Sequence, residues 1–187
     1  MPTAVQPRRR TWGVILVWVL VLGFLALMGV GLLRSQQGPI SIGARAPQFS
    51  LKTFDGQVYN TAAMPGKVVV VNFWASWCKP CVKELPELAA YHARLAGRTD
   101  VAMVSFNVGE DRAAVEAFLE RSPVSFPVYC GDALVEPMEL AAFPTKMILD
   151  ARKPGPDGSA VVRFRREGLT SVASIEARVA ALLAETP

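Results

Sequence analysis

Hydrophobic positions fall along the chain in three patterns, and each predicts a different element. Residues 11–33 include no charged side chain and are dominated by Leu, Val, Ile, Trp and Phe. At about 1.5 Å per residue, a helix of roughly twenty such residues crosses a hydrocarbon core about 30 Å thick. The second pattern is Val68, Val69, Val70 and Val71 followed by Phe73 and Trp74, a continuous β-branched and aromatic run. It suits a strand buried on both faces of a partly parallel sheet. The third follows at once: Val82, Leu85, Leu88 and Ala89 recur close to a 3.6-residue period across residues 79–95, predicting a helix directly after that strand.

The rest of the chain alternates in the same way. Residues 48–52 and 57–59 are short strand candidates around Phe54-Asp55-Gly56, where Asp-Gly signals a hairpin turn. Residues 101–107 form a second apolar strand. Residues 111–121 form a surface helix with Val115, Phe118 and Leu119 on one face, stopped before Pro123. A strand over 126–129, a short helix over 134–140 and a strand over 145–149 follow. A Pro- and Gly-rich turn then leads to a strand over 161–165, antiparallel to its neighbour. The closing helix places Val172, Ile175, Val179, Leu182 and Leu183 on one face, with Ser171 as its cap. The pattern is that of an α/β domain with a central mixed sheet, and it holds no internal repeat.

Charge locates the function class. The formal net charge is +4, and Arg8, Arg9, Arg10 and Arg34 beside the apolar run account for it, since no Asp or Glu precedes Asp55. The remainder balances at 16 basic against 16 acidic residues, so the basicity argues for no nucleic-acid surface. Three arginines before the run and one after it put the N-terminus in the cytoplasm and the domain outside. The expected organisation is a basic cytoplasmic segment (1–11), a transmembrane anchor (12–33), a linker (34–41, with a polar connector at 36–39) and a folded domain (42–185). The lipid bilayer is thus a partner through residues 11–33, in a single-pass protein of the cell membrane. A cleaved signal peptide is the rival reading, but the apolar region is longer than a typical h-region and no A-x-A site follows it.

Chemistry concentrates in Cys78-Lys79-Pro80-Cys81, where the strand hands over to the helix. Unpaired amides and the positive end of the helix dipole favour a thiolate at Cys78, and Lys79 adds a cation. Cys81, one turn further in, should be more buried and less acidic. The two sulfurs share a helical face and are close enough to close a small, reopenable disulfide ring. Pro80 is tolerated because the first turn has no use for its missing N–H.

FWASWCKPC after an apolar strand resembles the thioredoxin superfamily. The wider NFWAxWCxPCxxELP pattern is similar to its TlpA/ResA-like, CcmG-related branch of membrane-anchored thiol-disulfide oxidoreductases, a resemblance covering roughly residues 42–184. It implies a thioredoxin-like fold: a central mixed sheet flanked by helices, with an N-terminal hairpin and a helix-strand insert at 111–129. It assigns Pro144, in Ala142-Phe143-Pro144-Thr145, the role of a cis proline lying against the cysteine pair, with the backbone before it pairing with an incoming peptide. A plain strand-start proline is the alternative. Trp77, Lys79, Pro80, Phe143 and Thr145 become the expected substrate contacts. Glu84 matches a glutamate found in the branch and, if partly buried, would be placed to assist deprotonation of Cys81, the alternative being an ordinary solvated helix glutamate. Asn72 stands where thioredoxins often carry a buried Asp, and Ala141-Ala142-Phe143 lacks the glycine usual before the proline.

The activity implied is reduction of protein disulfides outside the cytoplasm, without cofactor or metal. Apocytochrome c is the suggested substrate, in cytochrome c biogenesis, with copper-site assembly or general thiol homeostasis as alternatives. An oxidising compartment requires that electrons reach such a reductase through a membrane thiol donor of the CcdA/DsbD type. Two other classes fare worse. A metal-binding module built from three Cys and one His lacks a second ligand pair near the motif. A purely structural disulfide is disfavoured because so small a loop constrains the unfolded chain little. Of the remaining residues, Cys130 is expected as a buried inert thiol, with a regulatory or intermolecular thiol as the alternative, His92 on the surface and Trp74 in the core. Arg163, Arg165 and Arg166 are either a docking patch for an acidic partner or solvent-facing edge-strand charges.

Overall fold

A computed structural model describes residues 9–35, 40–54, 56–60 and 64–186. The chain divides into two units, residues 1–38 and 39–187. The first contains α1 (Arg9–Ser35), and within it Trp12–Gly29 is long and apolar enough to cross a membrane. Its described side chains from Trp12 to Met28 are all exposed. A helix apolar on every side requires apolar surroundings, which a bilayer supplies to an anchor or a signal sequence alike. The connector at 36–39 and Asp55 of the expected hairpin turn lie outside the described residues.

The second unit runs β1 (Ser50–Lys52), β2 (Val58–Asn60), β3 (Val68–Trp74), α2 (Lys79–Arg94), β4 (Val101–Asn107), α3 (Arg112–Leu119), β5 (Val128–Cys130), β6 (Thr145–Asp150), β7 (Val161–Glu167) and α4 (Val172–Ala184). One seven-stranded sheet has the order β2-β1-β5-β4-β3-β6-β7. β3 pairs parallel with β4, and β4 with β5, while the other neighbours are antiparallel, so the sheet is mixed as expected. All seven β3 side chains are buried, because its near-continuous apolar sequence is covered on both faces. Alternation along β3 splits the core. Val68, Val70 and Trp74 pack with Leu85 and Leu88 of α2 and Ile175 and Val179 of α4, whereas Val69, Val71 and Phe73 pack with Phe106, Met147 and Leu149 on the opposite side.

Helix ends follow the sequence closely. Asp111 caps α3 by accepting the Ala114 N–H at 2.8 Å, and Ser171 caps α4 by accepting that of Ser174 at 3.3 Å. Two expectations need correction. The strand expected over 126–129 begins only at Val128, since Pro127 has no N–H to give a ladder. The helix expected over 134–140 is a short 3-10 turn, Asp132–Leu134, followed by irregular turns. Pro137 removes a donor and biases Glu136 away from helical backbone, and Glu139 has a left-handed φ of 49°.

Candidate active site

Cys78 ends the β3–α2 connection as the N-cap of α2, and its Sγ accepts the Cys81 N–H at 3.3 Å. The two cysteines are joined by a disulfide with their Cα atoms 5.2 Å apart. Cys78 is 6% exposed and Cys81 0%, so solvent reaches the first cysteine and not the second. Lys79 and Pro80, in the first turn of α2, are exposed. Trp77, 63% exposed, meets Phe143 edge-on at 6.1 Å between ring centroids. The Phe143–Pro144 peptide bond is cis and Pro144 is buried. Thr145 is wholly buried, its hydroxyl donates to the Ala142 carbonyl at 2.6 Å and it stands in the sheet between Phe73 and Glu167, so the substrate contact expected at Thr145 is corrected: this residue supports the turn from inside. Exposed apolar groups thus rim one sulfur while the other stays beneath.

Below the cysteines lies a buried polar row that the hydrophobic pattern does not reveal. Register pairs Asn72 of β3 with Ser105 of β4 on one side and Lys146 of β6 on the other, on the face covered by α2. Asn72 Nδ2 donates to Ser105 Oγ at 3.4 Å, and its Oδ1 has no partner. Glu84 enters this layer from α2. It is 7% exposed, so the solvated-glutamate alternative fails. Its Oε1 accepts from Lys146 Nζ, and Oε2 has no side-chain partner. Burial pushes the Glu84 carboxyl above its ordinary range and the Lys146 ammonium below its own, and their mutual hydrogen bond and charge oppose both shifts. Lys146, 1% exposed, was not among the candidates. Neither was Glu110, whose carboxylate accepts from the Ser76 N–H at 2.6 Å, from the Ser76 hydroxyl and from Asn107 Nδ2 at 2.6 Å, fixing the turn that leads into Trp77 and Cys78. Only the cross-strand register could have flagged Lys146.

The model of the family described as Redoxin matches residues 41–141, a stretch that includes Cys78, Cys81 and Glu84 and ends before Pro144. The chain belongs to the Redoxin family. It is 30% identical over 151 residues to the thiol-disulfide oxidoreductase ResA of Bacillus subtilis (strain 168), covering 80% of this chain and 79% of that protein. The thioredoxin-like protein YneN of the same organism is 34% identical over 60% of this chain and 68% of its own length. Among solved structures, a thiol:disulfide interchange protein of the thioredoxin family from Chlorobium tepidum TLS superposes with a TM-score of 0.64 at 26% identity, covering 77% of this chain and 99% of that one. This redoxin is therefore a ResA-like thiol-disulfide oxidoreductase with a thioredoxin-like fold, and its substrates are disulfides of proteins.

Elsewhere in the redoxin, several expectations change. Cys130 is half-buried rather than buried, with its Sγ 3.9 Å from Asp132 Oδ2, because the three-residue β5 has a single ladder partner in β1 to cover it. His92 is half-buried, its ring 5.8 Å from that of Phe126, so it is part of the packing of α2 and not a surface group. Trp74 is fully buried, as expected. Arg165 turns inward and donates to the Met138 and Glu139 carbonyls at 2.6 and 2.5 Å. Arg163 pairs with Glu185 and lies 3.8 Å from Asp150, and Arg166 is exposed. A three-arginine docking patch is thereby reduced to one unpaired candidate among the described residues.

Proposed function

We propose that this redoxin is a single-pass membrane protein whose catalytic domain (42–185) works outside the cytoplasm, held by an anchor at 12–33, and reduces disulfides of client proteins in cytochrome c biogenesis. The carrying observation is the Cys78 Sγ at the N-cap of α2, accepting the Cys81 amide, with Cys81 sealed beneath it. That asymmetry supports Cys78 as the attacking thiolate and Cys81 as the resolving thiol. In the reduced protein, Cys78 attacks a client disulfide and one client sulfur leaves as a thiolate. The Cys81 proton passes to the Glu84 carboxylate. Cys81 then attacks Cys78, the bond to the client breaks, and the client departs as a dithiol while Cys78–Cys81 is left oxidised. A membrane thiol donor of the CcdA/DsbD type returns the two electrons.

Trp77 and Phe143 form an apolar rim suited to the flanks of a client disulfide, with exposed Lys79 and Pro80 beside it and the backbone before the buried cis-Pro144 as the edge for an extended segment. The decisive experiment is a Cys81→Ser trap in the host envelope, followed by identification of whatever stays covalently bound to Cys78. Apocytochrome c adducts support the biogenesis role. Copper-assembly proteins, or a broad mixture of clients, would redirect the assignment to metal-site assembly or thiol homeostasis.

A further inference from the structure

Lysine is among the residues least often fully buried, and where it is buried it has a partner. Lys146 fits that description closely. It is 1% exposed, two residues beyond Pro144 on β6, and register beside Asn72 turns it to the face under α2, where Nζ meets Glu84 Oε1. Glu84 in turn follows Cys81 by three positions on the buried face of α2. A carboxyl this enclosed and without a cation would hold its proton, and a neutral acid cannot accept another. We propose that Lys146 is a positioning residue for disulfide exchange, keeping Glu84 ionised as the acceptor for the Cys81 proton. The proposal rests on the reading of Glu84 given above and adds the group on which that reading depends.

The surroundings leave Lys146 as the cation that does this, with a backbone hydrogen bond from Thr170 as a smaller contribution in the same direction. From α2, Glu87 opposes ionisation of Glu84 and Lys83 stands at the rim of an opening. The segment between β7 and α4 contributes Leu169, Thr170 and Ser171, none of them titratable in this range. β3 contributes the uncharged Asn72, and Arg166, the register neighbour of Lys146 on β7, is exposed. The opening, about 220 Å³, is lined by Glu84 itself and gives a proton taken from Cys81 a route to solvent. In the balanced step, the Cys81 S–H bond breaks and its proton goes to Glu84. The new thiolate forms a bond to Cys78 Sγ, the Cys78–client bond breaks, and the client sulfur carries away the electron pair.

The test uses the full-length reduced protein in nanodiscs with 5,5′-dithiobis(2-nitrobenzoate) as the disulfide. The first released nitrothiolate reports Cys78 attack and the second reports resolution by Cys81. The expected result is that Lys146→Met moves the acidic limb of the second phase upward by about one pH unit or more, that Lys146→Arg leaves it near wild type, and that Glu84→Gln/Lys146→Met behaves as Glu84→Gln alone. An unchanged limb in Glu84→Gln would remove Glu84 from the step and the proposal with it. A limb lost in Glu84→Gln but unmoved in Lys146→Met would overturn the role of Lys146 and leave Glu84 standing. A further shift from Lys146→Met in the Glu84→Gln background would mean that the lysine acts directly on the thiol, which also overturns it. Should Lys146→Met not fold, carboxyl ¹³C titration of Glu84 in the reduced wild type decides the matter: a carboxyl still protonated at about pH 7 refutes the proposal.

Discussion

On the face of the sheet turned away from α2, the buried positions of β3, β4 and β6 are Val69, Val71, Phe73, Val104, Phe106, Met147 and Leu149, with Thr145 as the one polar side chain, its hydroxyl closed on the Ala142 carbonyl. On the face beneath α2, the same three strands present Val68, Val70, Ile148 and Trp74, interrupted by Asn72, Ser105 and Lys146 in a single row. Only the face beneath α2 buries charged groups. The apolar face supplies transfer free energy at about 25 cal/mol per Å² and close aromatic packing, with Phe73 and Phe106 stacked at 5.3 Å and Phe49 edge-on to Phe106 at 5.6 Å. The polar row supplies little net stability, since burying ionic and amide groups roughly cancels the gain from pairing them. It lies under the helix that carries the cysteines. One face therefore holds the fold, and the other, on the reading proposed above, gives up some of that stability for control of protons near the sulfurs.

Substitutions on the two faces should accordingly fail in different assays. The largest effect is expected from Cys78→Ser, which abolishes turnover in a client-disulfide reduction assay while a denaturation curve still shows a cooperative fold. Residual turnover at the wild-type rate would end the assignment of the nucleophile. Next, Phe106→Ala on the apolar face should cost about 3–5 kcal/mol in urea unfolding, yet leave the pH profile of exchange in the folded fraction unaltered. A changed profile would mean that the faces are coupled. Asn72→Val makes the polar row resemble its opposite and removes a buried carbonyl oxygen without a partner. A gain of about 1 kcal/mol is expected by equilibrium unfolding, and a loss would mean that the amide is better satisfied than its contacts indicate.

The smallest effect concerns Asp150, at the far end of the α2-side face. The hydrogen-bonded Arg152 guanidinium, at 2.8 and 2.9 Å, holds its carboxyl below the usual value of 3.8, with Arg163 adding to the effect. A depressed carboxyl adds stability that is present above its unfolded value and is lost as pH falls through the folded one. Asp150→Asn should therefore flatten the stability profile below about pH 4 by at most about 1 kcal/mol and leave exchange untouched. A change in exchange would extend the catalytic row to the end of the strand.

Much of this architecture was legible because it depends on local order. The valine run of β3, the 3.6-residue spacing after it and the cysteines between them predicted the central strand, the helix and the position of the sulfurs. Asp111 and Ser171 marked two helix starts. What could not be read depends on which strands become neighbours. Lys146 in Thr-Lys-Met-Ile-Leu-Asp looks like a solvent-facing lysine until β6 is paired with β3, and Glu84 looks like a surface residue until Lys146 lies below it. Cys130 matches no spacing pattern with the motif, which predicts a buried inert thiol, but burial there depends on strand pairing and β1 meets β5 at one position. Pro127 and Pro137 act as breakers, so β5 starts late and only a 3-10 turn forms directly after it.

The inward turn of Arg165 affects more than the loop it holds. With β7 at the outer margin of the sheet, its guanidinium on the Met138 and Glu139 carbonyls and its charged neighbours Arg163 and Arg166 make that margin a poor template for another chain. An unfolded polypeptide arriving with an extended segment is thus discouraged from annealing along the edge, and two copies meeting there have little means of zipping together.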